Sequence, residues 1–172
     1  LRALMDEYPG TTTVGEIGDD KPLERMAEYT AGGDKLHMAY GFDLLNAPHS
    51  AGYIREVIER FQRLAGDAWP CWALSNHDVV RSATRWGAHE DPVSYPKVAL
   101  AMVLSLRGSV CLYQGEELGL PEAEVPFERI QDPYGKVLWP EFKGRDGCRT
   151  PMPWRQAAQG DFSSVEPWLP VD

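Results

Sequence analysis

Trp69-Pro70-Cys71-Trp72-Ala73-Leu74-Ser75-Asn76-His77-Asp78 passes from six apolar residues straight into four polar ones. So short an apolar run, followed by turn residues, predicts a strand buried on both faces. The abrupt polar end predicts side chains presented at a strand terminus. Upstream, Ser50 can cap a helix whose stripe is Tyr53, Ile54, Val57, Ile58, Phe61 and Leu64, with Arg55, Glu56, Glu59 and Arg60 facing away; Gly66 stops it. Downstream, Val98 to Leu106 is apolar nearly all round and predicts a buried helix. Gly108 stops that, and Val110-Cys111-Leu112-Tyr113 predicts another strand, followed by Gly115-Glu116-Glu117.

The same alternation continues toward the amino end. Thr11 to Val14 is β-branched, follows the turn pair Pro9-Gly10, and predicts a short buried strand ending at Gly15-Glu16. Asp19 or Asp20 can cap a helix with Pro22 in its first turn and Leu23, Met26 and Ala27 on one face; Gly32-Gly33 ends it. Leu36 to Leu45 is the next strand candidate. Leu1, Leu4, Met5 and Tyr8 recur at helical spacing, so the chain is expected to start inside a helix, as a piece of a longer protein. Four helix–strand repeats predict an α/β fold with a parallel sheet. Beyond residue 120 the texture changes: eight of the fourteen prolines lie there, with Trp139, Trp154 and Trp168. An irregular excursion is expected over about 121–172.

Composition narrows the function. The 172 residues carry 17 Lys+Arg against 26 Asp+Glu, a net charge of −9, which disfavours a nucleic-acid partner because phosphate neutralisation needs a basic surface. No apolar run is long enough to suggest a membrane partner. Cys71, Cys111 and Cys148 are odd in number and form no CxxC pair, so no disulfide framework is expected and a reducing, cytoplasmic compartment is favoured. His37 falls mid-strand and reads as packed or hydrogen-bonded, and His49 and His89 as loop residues. With no HExxH or paired histidine spacing, no metal and no cofactor is expected.

Three predicted strands end in catalytic residue types: Gly15-Glu16, Asn76-His77-Asp78 and Tyr113-Gln114-Gly115-Glu116-Glu117. In a parallel α/β sheet all such ends share one edge. Glu16 and Asp78, 62 residues apart, then sit two βα units from each other. Two carboxyl groups across a polar cleft suit glycosidic cleavage, one neutral to protonate the leaving oxygen and one ionised to stabilise oxocarbenium-like charge. His77 can donate to a sugar hydroxyl. Glu116-Glu117 serves equally as a partner for a helix N-terminus, and the tryptophans of the tail read as packing residues.

Val14-Gly15-Glu16-Ile17-Gly18-Asp19, Ser75-Asn76-His77-Asp78, Tyr113 to Gly119, and Gly144-Arg145-Asp146-Gly147-Cys148-Arg149-Thr150-Pro151-Met152-Pro153-Trp154 resemble, in order, the motifs of α-glucosidases of glycoside hydrolase family 13. The resemblance implies a (β/α)8 TIM barrel and retaining hydrolysis of α-glucosidic bonds in short oligosaccharides or disaccharides. Glu16 matches the acid/base after the fifth strand. Asp78 matches the transition-state carboxylate after the seventh, and His77 a histidine that touches sugar hydroxyls. Arg145 matches an arginine near the glucose subsite. Glu122 is a candidate for the outer sugar position, and Arg149 is expected to pair within its own loop. A transglycosidase or isomerase of the same family, or a non-catalytic barrel partner protein, are the alternatives.

The family nucleophile lies in a Gly-aromatic-Arg-x-Asp motif that does not occur here. Asp43 follows Gly41-Phe42 without the arginine and in the slot of the sixth strand, and is not assigned that role. The chain therefore resembles strands five to eight, the C-terminal half of the barrel, with its Pro/Trp-rich excursion leading toward a C-terminal β domain. Alone, such a half would be expected to lack activity. It leaves two open sheet edges, so the N-terminal half of the barrel is an expected partner.

Overall fold

The computed structural model describes residues 1–46 and 48–171, and of His89 the backbone alone. Asp172, the last residue of the expected excursion, and the His89 side chain, read above as a loop residue, lie outside the described residues. Four strands, β1 (Val14–Gly15), β2 (Met38–Gly41), β3 (Pro70–Trp72) and β4 (Ser109–Val110), pair in sequence order, every pair parallel. The register sets Val14 against Met38, Ala39 against Pro70 and Cys71 against Ser109. The helices are α1 (Arg2–Met5), α2 (Pro22–Thr30), α3 (Ala51–Leu64), α4 (Ser82–Arg85), α5 (Ser94–Leu104) and α6 (Pro133–Leu138). The expected alternation of strand and helix is what forms.

The chain divides into two compact units. The first, Leu1–Leu74 with Ala101–Cys111, holds the sheet. All three β3 residues are buried, as a parallel strand covered on both faces requires, and Pro70 occupies the first strand position, where its missing donor does least harm. Trp72 is the keystone. It is 1% exposed, meets Phe61 of α3 edge-on at 5.4 Å, and donates its indole N–H to the Arg107 carbonyl at 2.9 Å. Gly41 of β2 lies beneath it, where any Cβ would fall 2.7 Å from the ring. Leu23, Met26 and Ala27 of α2 are buried as the spacing predicts, and so are Ile54, Val57 and Phe61 of α3. Ser50 caps α3 by accepting the Tyr53 N–H at 3.3 Å.

Several expectations give way. The strand over Thr11–Val14 shrinks to Val14–Gly15, because Thr13 turns its N–H and hydroxyl to His37 Nδ1 at 3.1 and 2.9 Å. Neither aspartate caps α2. Lys21 is its N-cap residue, and Asp19 accepts the Lys21 N–H instead. The α5 helix begins earlier, at Ser94, and is not buried all round: Ala99 and Val103 are buried, whereas Val98 is 67% and Leu104 60% exposed. An all-apolar composition carries no periodicity from which to read the buried side.

The second unit comprises Ser75–Leu100 and the chain from Leu112 onward. The expected irregular stretch is built of 3-10 turns and the six-residue α6 around Val125, Ile130, Leu169 and Trp139. Side chains replace ladders in satisfying its backbone. Arg129, for example, donates to the carbonyls of Pro167 and Trp168 and to Glu166. Among the described residues no helix is long and apolar enough to cross a membrane.

Candidate functional site

The polar end of the Trp69–Asp78 stretch folds as a tight turn in the second unit. Asn76 Oδ1 accepts the Asp78 N–H at 2.8 Å, an Asx-type turn that bends the chain just past β3. Buried Ser75 accepts the Ser82 N–H at 2.9 Å and fixes the start of α4. His77 and Asp78 are left partly exposed, with His77 Nε2 3.7 Å from Asp78 Oδ1.

Two arginines converge on the same oxygen. Asp78 Oδ1 accepts from Arg145 Nη1 at 3.1 Å and from Arg149 Nη2 at 2.7 Å. Arg149 Nε also donates to the His77 carbonyl at 2.7 Å. Arg149 thus reaches outside its own loop and ties that loop to the Asn-His-Asp turn, contrary to the sequence expectation.

Behind Arg145 stands Asp132, whose side chain is wholly buried. Asp132 Oδ2 accepts from the Arg145 N–H and Nε, both at 2.8 Å. Its Oδ1 accepts from Arg145 Nη2 at 3.0 Å and from the Tyr134 N–H, at the cap of α6, at 3.1 Å. The Tyr134 ring faces the guanidinium, 5.1 Å from centroid to Cζ. Reciprocally, Asp146 Oδ2 accepts the N–H groups of Gln131 and Asp132 at 2.5 and 2.8 Å. Gly135 and Gly144 let the two segments touch backbone to backbone: a Cβ on Gly135 would lie 2.6 Å from the Lys143 carbonyl oxygen.

The Arg145 hydrogen bond, aided by the two backbone donors, holds the Asp132 carboxyl well below the usual aspartate value against the opposing effect of burial. A depressed folded-state value contributes stability that is present above the unfolded pKa of about 3.9 and is lost as pH falls through the folded one. Asp132→Asn is therefore expected to lower the thermal midpoint at neutral pH, with the gap to the parent closing below about pH 4. Melting curves from neutral to strongly acid pH check this.

Glu122 takes a different place. Its Oε2 accepts the Arg81 N–H at 2.9 Å, burial raises its carboxyl above the usual range, and Gly147 leaves it room, since a Cβ there would meet Oε1 at 2.5 Å. Arg81 is 2% exposed, donates to the Gln114 carbonyl at 2.6 Å and lies over the Tyr113 ring. Glu116 is also buried, accepts the Tyr113 N–H, and is raised chiefly by desolvation. These groups support the turn carrying Gln114, whose amide donates to the Thr150 carbonyl at 3.0 Å.

Glu16, in the first unit, is exposed and directly follows β1. In that unit the Tyr40 phenol is held up at about 12, by its hydrogen bond to Cys111 Sγ at 3.5 Å, then by burial, with the Glu16 charge among the smaller causes. Asp43 is raised by burial and leaves Oδ2 without a hydrogen bond among the described residues. All three cysteines are free. Burial pushes the thiols of Cys71 and Cys148 up to about 11, away from nucleophilic use. Among the described residues no group of three or more His, Cys, Asp or Glu side chains could hold a metal ion.

The structure therefore brings His77, Asp78 and Arg145 together and sets Glu122 against the Arg81 backbone. Sequence reasoning missed Asp132 and the reach of Arg149. The Gly-Arg-Asp-Gly-Cys-Arg motif signalled the arginines, but no local pattern marks a partner thirteen residues upstream.

The alpha-amylase catalytic-domain family matches residues 1–172. The chain is 52% identical over 175 residues to a probable alpha-glucosidase of Rhizobium meliloti (strain 1021), covering 99% of this chain and 32% of that protein. It is 28% identical over 207 residues to an oligo-1,6-glucosidase of Heyndrickxia coagulans, covering 99% and 37%. The solved structure of the alpha-glucosyl transfer enzyme XgtA superposes with a TM-score of 0.93 at 55% identity, covering 99% of this chain and 32% of that one. The chain thus spans about a third of the length of these relatives, and its four parallel strands and their helices form part of a (β/α) barrel.

Proposed function

We propose that this chain, which belongs to the alpha-amylase catalytic-domain family and within it to the α-glucosidase and oligo-1,6-glucosidase group of glycoside hydrolase family 13, supplies the acid/base and the transition-state carboxylate of a retaining enzyme. That enzyme cleaves terminal α-glucosidic bonds in short oligosaccharides or disaccharides. The observation that carries this is the Asp78 carboxylate held by Arg145 and Arg149 through a single oxygen, in the loop after a parallel strand.

Glu16 protonates the glycosidic oxygen as a nucleophilic carboxylate, supplied by the N-terminal half of the barrel, attacks the anomeric carbon and the aglycone leaves. Glu16 then takes a proton from water, whose oxygen displaces the carboxylate with a second inversion, so that configuration is retained. Asp78 stabilises the oxocarbenium-like charge of both steps. His77 and Arg145 bind the terminal glucose, Glu122 lies toward the outer sugar, and the three free cysteines fit a reducing, cytoplasmic setting.

The complete enzyme is expected to release the α-anomer first, as read by proton NMR. The 172-residue chain alone is expected to release no p-nitrophenol from p-nitrophenyl α-glucoside, because it lacks the nucleophile. A glucosyl intermediate trapped on this chain would overturn the assignment. Transfer to a sugar or alcohol in place of water is favoured as a second reading by the 55% identity to a glucosyl transfer enzyme. Chromatography of products with excess acceptor separates the two.

A further inference from the structure

Arginine–carboxylate pairs frequently form two parallel N–H···O bonds. Neither arginine at Asp78 does so. Arg145 and Arg149 each spend one Nη on Asp78, both on Oδ1, and among the described residues none donates to Oδ2. Arg149 is oriented by the His77 carbonyl, which takes its Nε. Arg145 is oriented by Asp132, which takes Nε and one N–H of Nη2 along the side edge of the guanidinium.

We infer that Asp132 is a positioning residue that grips the side edge of Arg145 through Nε and one N–H of Nη2, and so fixes the guanidinium where only Nη1 reaches Asp78 and Oδ2 stays open to a sugar hydroxyl. The inference rests on the proposed role of Asp78. Asp132 is suited to the task because its carboxylate has no freedom to turn. Three of its four hydrogen bonds come from Arg145 and the fourth from the Tyr134 N–H, and its own N–H is pinned by Asp146. The Tyr134 ring closes one face of the guanidinium, and the Gly135–Gly144 contact sets the separation of the two segments. With Asp132 neutralised, Nε and Nη2 lose their anion and Arg145 turns to chelate Asp78, covering the oxygen that substrate needs.

The test is a double-mutant cycle in the complete enzyme, with Asp132→Asn, Arg145→Met and the pair. Asp132→Asn is expected to lower kcat/KM by about 10²-fold, carried by kcat, as for a misplaced catalytic group. In the Arg145→Met background the same substitution is expected to change kcat/KM by less than about threefold, since its effect runs through Arg145. Calorimetric affinities for deoxynojirimycin give the same cycle without turnover. If Asp132→Asn alone does not fold, Arg145→Met against the double variant still decides. Equal values support the inference, and an undiminished loss, or a single variant within about threefold of the parent, overturns it. Asp78→Asn keeps the two claims apart: an active Asp78→Asn enzyme refutes the proposed function, whereas an inactive one beside an unaffected Asp132→Asn refutes only the positioning role.

Discussion

Glu16→Gln in the complete enzyme is expected to lower kcat on maltose or isomaltose by about 10²–10⁴-fold. The amide keeps the shape of the side chain but can neither give a proton to the leaving oxygen nor take one from water. The loss should shrink on p-nitrophenyl or dinitrophenyl α-glucosides, whose leaving groups need little protonation. Added azide, which needs no base, should then restore turnover and yield a glucosyl azide. Glu16 is solvent-exposed at the end of a two-residue strand, so the substitution leaves the fold intact and the effect reads chemistry. A scaffold residue would lose nothing, and unchanged kinetics on all substrates would refute the acid/base role of Glu16.

Trp72→Ala is expected to cost about 3–5 kcal/mol of stability, read as a fall in the urea midpoint. The indole is 1% exposed, packs edge-on against Phe61, and covers the backbone of Gly41. Truncation opens a cavity between β2, β3 and α3 and leaves the Arg107 carbonyl without its indole donor. Trp72→Phe should recover the volume in part but not the hydrogen bond, and so fall between the two. A loss below about 1 kcal/mol for alanine would mean that α3 collapses onto the sheet without it.

Legibility followed locality. The α3 helix could be read from residue to residue, because Ser50 accepts a hydrogen bond three residues on and its stripe repeats every three or four. β2 and β3 fall inside the apolar stretches read from sequence, but the β-branched run Thr11–Val14 overlaps β1 only at Val14, and Val110–Tyr113 overlaps β4 only at Val110. Thr13 has the branching of a strand residue, yet its N–H and hydroxyl go to His37, twenty-four residues away. The exposed side of α5 was invisible for the opposite reason: Val98 and Val103 look alike in sequence and differ only in what covers them. At the candidate site, polar residues at strand ends announced Glu16, His77 and Asp78. Asp132 sits in an irregular stretch with no period, and its pairing with Arg145 exists only once Gly135 and Gly144 meet.

The order of the sheet also bears on how the polypeptide matures on the ribosome. Each strand's neighbour in space is its neighbour in sequence, so within these four strands none waits for a strand beyond the next one to be synthesised. Once residues 38–41 have emerged, β1 can dock and α2 can pack on β2, before Trp72 arrives against Phe61 of α3. Translation at about 5–20 residues per second leaves seconds for each such addition, which shortens the time that bare strand edges spend open to other chains.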